Sequence, residues 1–368
     1  MNEGHFGKME AISLMSILMI GKLFYTTPSI LVQYTGTAAW YVTCVSAIIT
    51  AFFFWIGYQL IKRFEGLPLD EIFEIVYGKW LGKTVLMIFV IYLVYLAGTS
   101  LREFVEMIKI YTLPTTPYSF IIVPFLAVCA LMAYYGIENI ARISYFSFYI
   151  TLGAVVIILV LSIPKYSLEA IYPIFGYGVD KSLWFGFLRS SAYSEIMLIL
   201  FLPKILQTTK LVAHVGKVTI LIAVTTFSLA ILGYLMVFGY SMGGEQLSGL
   251  FQLSKTIFLN RYVQRVESLF VFPWVLVSLI TVAISLYLAV SFYCKAFTIK
   301  NHRPIIFPMA AWVFIVTSLP ASFSELLEVN IKVLREYSMI WMYGIPVITL
   351  LVAMMRGQKG ASLHEQEN

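Results

Sequence analysis

Apolar residues run along this chain in long unbroken blocks. Eight stretches of 18 or more residues carry no Asp, Glu, Lys or Arg: Leu23–Ile61, Thr84–Leu101, Ile110–Ile137, Ile143–Pro164, Val218–Gly244, Ser268–Cys294, Pro304–Ser324 and Tyr337–Met355. About 20 apolar residues in a helix cross the hydrocarbon core of a bilayer. Helix is the expected state, because lipid offers no partner to a backbone N–H or C=O and an open sheet edge cannot sit there. The first block is long enough to hold a half-helix and a turn as well as a span.

Two further segments are apolar but interrupted. Met9–Val32 is broken at Gly21-Lys22, with Pro28 beyond, and Leu183–Pro203 is broken by Arg189-Ser190-Ser191-Ala192-Tyr193-Ser194-Glu195. Counting both gives about ten spans, with the interruptions in the first and the sixth. Those are corresponding places in two halves of five. Breaks at matching positions point to an inverted repeat with a binding site where they meet. The expected fold is therefore all-α and integral to the membrane, a single polytopic domain. Its first repeat covers about 9–163, its second about 164–355, and 356–368 form a cytoplasmic tail.

Composition agrees. Of 368 residues 60% are hydrophobic and 12% charged, where a soluble domain carries about 25% charged residues. The net charge of +6 is spread over loops and does not form the basic patch a nucleic acid needs. It reads as topology instead: 14 Lys and Arg fall on the side of the termini against 8 on the other. The positive-inside rule then places both termini in the cytoplasm. The apolar run Ala11–Gly21 has no small-residue cleavage site after it and is read as membrane sequence, not as a removed signal.

Few enzyme or metal signals are present. Cys44, Cys129 and Cys294 lie far apart in apolar stretches, and His5, His214, His302 and His364 lie in tails or loops. None has a partner at metal-ligand spacing, and no phosphate loop or His-Glu-x-x-His occurs. No catalytic residue, cofactor or metal is expected.

The candidate chemistry sits at the breaks. Gly21-Lys22-Leu23-Phe24-Tyr25-Thr26-Thr27-Pro28 combines a residue free in its backbone angles with one that removes a donor. Unwound backbone there, with the partial charges of two half-helix ends, suits a carboxylate or an ammonium group. A kinked helix without a ligand is the plainer alternative. Lys22 follows eleven uncharged residues, roughly 16 Å of helix, which puts it near the midplane, although a long stem can also reach for an interface. Glu195 can pair with Lys22 across the two breaks, carry a proton, or serve only as a structural charge. Charges at this depth usually face a cavity or a partner. Gly98-Thr99-Ser100, and Thr281 with Ser285 at i and i+4, either line the same cavity or pack helices. Arg102, Glu103, Glu106 and Lys109 are expected to form a solvated outer helix end. A short re-entrant or surface helix is expected over Leu247–Leu259.

Taken together, these features resemble the endospore germination permeases, the B subunits of nutrient germinant receptors, a branch of the amino acid–polyamine–organocation transporter superfamily. The resemblance rests on order and spacing over nearly the whole chain. It runs from the first break ending at Pro28, through Trp40, Pro68, Gly78-Lys79 and Gly82-Lys83, to Gly136-Ile137-Glu138-Asn139-Ile140-Ala141-Arg142. Tyr172-Pro173-Ile174, Glu195, Leu202-Pro203, Gln264-Arg265-Val266-Glu267-Ser268 and Trp274 follow. The resemblance implies sensing of a small nutrient in the spore inner membrane. It also implies a complex with a larger A subunit and a lipoprotein C subunit. A pocket built from the first, third, sixth and eighth spans carries over to Gly21, Leu23, Gly98, Thr99, Ser191, Ser194 and Ser285, beside Lys22 and Glu195. One departure stands out: the family's Gly-x-Gly is here Gly21-Lys22-Leu23, which narrows the pocket and adds a positive charge. The residues alone leave open a nutrient receptor, a proton-coupled amino acid carrier and a structural scaffold.

Overall fold

The computed structural model describes residues 6–258 and 267–360, with the side chains of 268 and 269 outside that description. His5, His364, most of the Gln264–Ser268 motif and the end of the expected Leu247–Leu259 helix lie outside it.

Among the described residues every regular element is helical. The first span is α1 (Lys8–Ile20), a 3-10 turn over Gly21–Phe24 and α2 (Thr27–Thr35). Then come α3 (Ala39–Arg63), a short α4 (Leu69–Tyr77), α5 (Lys79–Tyr111), α6 (Tyr118–Tyr135) and α7 (Ile137–Ser162). The sixth span begins as α8 (Val179–Arg189), continues as a 3-10 stretch over Ser190–Phe201 and ends in α9 (Pro203–Leu206). After it lie α10 (Thr209–Gly243), a short α11 (Gly249–Lys255), α12 (Ser268–Ala296) and α13 (Arg303–Ser318). The last span opens with α14 (Phe323–Glu325), passes through π-helical turns at Leu326–Ile331 and Val333–Tyr337, and closes with α15 (Met339–Met342) and α16 (Gly344–Met355).

Among the described residues seven helices are long and apolar enough to cross a membrane, and α13 is a shorter apolar helix. With the two interrupted spans this gives the ten that the hydrophobic blocks predict. The middle of the bundle is occupied by α12. Of its most apolar window 78% is buried, against 33% in α6. It packs along α5, α7 and the first break. Outside the spans, α4 buries Leu69, Ile72, Phe73 and Val76 at helical spacing against α5.

Three expectations are corrected. The second break does not end at Glu195 but continues as 3-10 turns to Phe201, and all twelve residues are buried. The short helix is α11, Gly249–Lys255, and within the described part of Leu247–Leu259 it is shorter than expected; Leu250 and Leu253 are buried whereas Phe258 is exposed. Most telling, Arg102, Glu103 and Glu106 are not solvated, and only Lys109 and the residues after it reach the surface. α5 runs on as one 33-residue helix, and Arg102, Glu103 and Glu106 are 7%, 2% and 5% exposed. These charges tolerate burial because each finds a partner. Arg102 meets Glu106 at 2.9 Å, Glu106 accepts from the Tyr118 hydroxyl at 3.1 Å, and Glu103 is held by the last span.

Candidate functional site

The two breaks satisfy each other. Where the first helix unwinds, Tyr25 is extended at φ −107° and ψ −153°, and the Thr26 N–H has no helical partner. Glu103 of α5 supplies one: its Oε1 accepts from the Thr26 N–H at 3.3 Å and from the Thr26 hydroxyl at 2.8 Å. The Phe24 carbonyl accepts from the Ser248 hydroxyl at 3.1 Å. In the second break, the Ala192 carbonyl accepts from the Lys22 ammonium, which also pairs with the Glu195 carboxylate. Irregular backbone at membrane depth is tolerated only where such partners exist.

Two ion pairs therefore flank one point. Lys22–Glu195 joins the first break to the second. Glu103–Arg335, 2.5 Å apart, joins the third span to the last, and Arg335 also donates to the Thr26 hydroxyl at 3.0 Å. Between the pairs lies a narrow cavity of about 30 Å³. Gly21, Lys22, Tyr25, Thr99, Ser100, Glu103, Glu195, Thr281 and Arg335 border it, with Leu18, Leu96, Ile331 and Leu334 as its apolar wall. That space takes one or two water molecules, whereas small-molecule pockets usually exceed about 300 Å³. Any solute larger than water requires the walls to move.

Gly21 is where the first break touches α12. A Cβ there would stand 2.5 Å from Val277 Cγ1, so only glycine admits this approach.

Of the nine residues singled out from sequence, Gly21, Lys22, Thr99 and Glu195 border the cavity. The other five pack elsewhere. Leu23 is wholly buried in the core. Gly98 faces α13, where an added Cβ would meet Val316 at 2.6 Å, and its carbonyl accepts from Thr317 at 3.2 Å. Ser191 donates to the Glu336 carbonyl at 3.0 Å, and Ser194 lies 3.1 Å from the Ser338 hydroxyl, so both fasten the second break to the last span. Ser285 donates within its own helix to the Thr281 carbonyl at 2.7 Å, while Thr281 itself faces the cavity.

Sequence reasoning missed Tyr25, Glu103 and Arg335. Tyr25 pairs with Ser278 of α12 at 2.7 Å. Arg335 and Glu336 read as loop because the charges of 325–336 interrupt the apolar blocks. The signal that places them in a span is the recurrence of buried Leu326, Asn330, Leu334 and Ser338 every four residues. Among the described residues no group of three or more His, Cys, Asp or Glu could hold a metal ion.

This geometry matches known proteins at two levels. In fold it is similar to a substrate-bound, outward-open Na+-coupled sialic acid symporter, with a TM-score of 0.67 at 11% identity over 95% of this chain and 89% of that one. It is also similar to the nucleobase-cation-symport-1 transporter Mhp1 in a closed conformation, with a TM-score of 0.62 at 13% identity over 92% and 77%. At those identities the likeness speaks for the fold alone, an all-α transporter fold with interrupted first and sixth spans. In sequence, Spore germination protein A2 of Bacillus subtilis (strain 168) is 22% identical over 305 residues, 81% of this chain and 82% of that one. Spore germination protein KB of the same organism is 21% identical over 326 residues, 87% of each. Spore germination protein GerQB of Bacillus cereus is 30% identical over 111 residues, 30% of this chain and 31% of that one. The family model described as spore germination protein matches residues 5–325, and the chain, an integral membrane protein, belongs to that spore permease family.

Proposed function

We propose that this chain is the membrane subunit of a germinant receptor that senses a small nutrient, an amino acid or a similar solute, and triggers germination of the spore. The observation that carries the reading is the narrow cavity between the two breaks, lined by Lys22–Glu195 on one side and Glu103–Arg335 on the other. A buried cavity bordered by two ion pairs is poor packing for a scaffold and good preparation for a switch. A zwitterion entering it offers a carboxylate to the cations and an ammonium to the carboxylates. It would thereby exchange internal pairs for its own and allow the two breaks to separate.

In this reading the protein sits in the spore inner membrane with both termini cytoplasmic. It works beside a larger A subunit and a lipoprotein C subunit, and the halves 9–163 and 164–355 move against each other. Nucleic acid and catalysis have no part in it. A sodium-driven cycle is disfavoured, because the Lys22 ammonium at the first break would repel the ion. A proton-coupled amino acid carrier is the second reading, and buried Glu195 is the observation that favours it.

The test is germination of spores deleted for this gene, scored by loss of optical density across single nutrients and mixtures. Loss of response to a defined nutrient, restored by the wild-type gene but not by Glu195→Gln, supports the receptor. Normal germination together with concentrative uptake by proteoliposomes under a pH gradient supports the carrier.

A further inference from the structure

Opposite the termini, the cavity is capped by a second, wider space. This vestibule has a volume of about 550 Å³ and is bordered by Gln33, Tyr34, Arg189, Glu328, Lys332 and Glu336. Ile331 borders both spaces, so a single turn of the last span separates them. Adjacent residues serve the two: Arg335 reaches into the cavity and Glu336 into the vestibule.

Arg189 forms the floor of this vestibule and is anomalous. It is only 3% exposed, yet its Nε and Nη1 have no hydrogen-bond partner among the described residues. The nearest carboxylate, on Glu336, stands 4.0 Å from Nη2, beyond hydrogen-bond reach. The face of Phe185 lies 5.1 Å from the guanidinium carbon and offers only a weak contact. Every other buried cation near the breaks is hydrogen-bonded: Lys22 to Glu195 and Ala192, and Arg335 to Glu103 and Thr26. A buried guanidinium without acceptors is costly, and one that borders a space large enough for a solute calls for an occupant.

We propose that Arg189 is the carboxylate-recognition residue of a distal capture site, where a small zwitterionic solute docks before the inner cavity opens. The planar guanidinium fork accommodates a carboxylate in bidentate fashion, which an ammonium point charge does not. Glu328 and Glu336 lie across the same space and suit the solute's ammonium group. The capture site deepens the nutrient-sensing reading and rests on it for the identity of the solute, but not for the chemistry of the anion subsite.

The deciding experiment is arginine-specific modification of the wild-type, full-length protein in nanodiscs with phenylglyoxal, read at single residues by mass spectrometry. Sodium acetate and L-alanine should each slow modification of Arg189 several-fold, while ethylamine and alaninamide should not. Arg142, whose side chain is 68% exposed, serves as the internal reference. Equal protection by the amines, no protection by any probe, or an Arg189 that never reacts would each overturn the site. In spores, Arg189→Gln should raise the nutrient concentration for half-maximal response by about tenfold or more, with Arg189→Lys between it and the wild type. An unchanged dose-response in Arg189→Gln also overturns it. Wild-type spores that respond to no nutrient would remove the sensing reading and leave the anion subsite to be decided by the modification experiment, which also decides it where the Arg189→Gln protein fails to accumulate.

Discussion

Glu103 and Arg335 meet at 2.5 Å, although 232 residues separate them in the chain, and the contact ties the third span to the last directly beside the first break. Both side chains are almost fully buried. Removing one partner from such a pair leaves an uncompensated charge and costs about 3–5 kcal/mol, while replacing both is far milder. Thermal melts of purified Glu103→Gln and Arg335→Gln should each fall well below wild type, and the double variant should recover part of the loss. Strictly additive losses would mean that the two do not act as a pair.

Lys22 and Glu195 form the second pair that borders the cavity. Lys22→Met leaves a lone carboxylate and should lower the melting point. Glu195→Gln still offers an acceptor to the ammonium and should fold. Spores carrying Glu195→Gln at wild-type protein levels should nevertheless lose most of their nutrient response. A full response in those spores would separate the pair from signalling.

Gly21 makes a steric prediction. Its missing Cβ leaves room for Val277, whose Cγ1 would stand only 2.5 Å from an added Cβ. Gly21→Ala should destabilise by about 1–3 kcal/mol through overpacking. Val277→Ala in the same chain should return much of that. If the double variant melts no higher than Gly21→Ala, the close approach of the first break to α12 is not what the glycine serves.

Away from the spans, Asp70 of α4 provides a pH handle. Burial raises its carboxyl above the usual range, and Lys295 at 3.0 Å pulls the other way. A carboxyl whose folded pKa is raised contributes stability that is complete below the unfolded pKa, about 3.9, and is lost as pH rises through the folded value. Relative to wild type, Asp70→Asn should therefore gain stability with rising pH, and melts from about pH 4 to 8 would show the difference grow. A constant difference would place the ionisation of Asp70 at its ordinary value.

The spans were legible because lipid imposes a coarse rule: twenty apolar residues and no orphaned backbone. Gly21-Lys22 and the hydroxyl-rich run from Arg189 to Glu195 break that rule openly, so the position of the two breaks was legible too. The pairing of Lys22 with Glu195 was one of three uses that depth left open for the carboxylate, and only the fold brings the two charges together. Glu103 and Arg335 were not legible. A charge at the end of an apolar block looks the same whether it meets water or a counter-charge from a distant helix. Only the three-dimensional partner distinguishes the cases. Ser191, Ser194 and Gly98 had the composition of a binding face, yet in the fold they join helices, a use that small and hydroxylated residues share with ligand sites, and Ser285 bonds back to its own helix.

The π-helical stretch of the last span carries a consequence for how the two compartments communicate. Its turns hold more residues than an α-turn, a winding that is rare and usually confined to short functional segments. Successive residues of an α-helix are about 100° apart around the axis, so tightening this stretch by one position would swing Arg335 away from Glu103 and bring its neighbour round. The same few turns border both the cavity and the vestibule beside Arg189, so the outer space and the inner one share a wall that a single screw motion would reach.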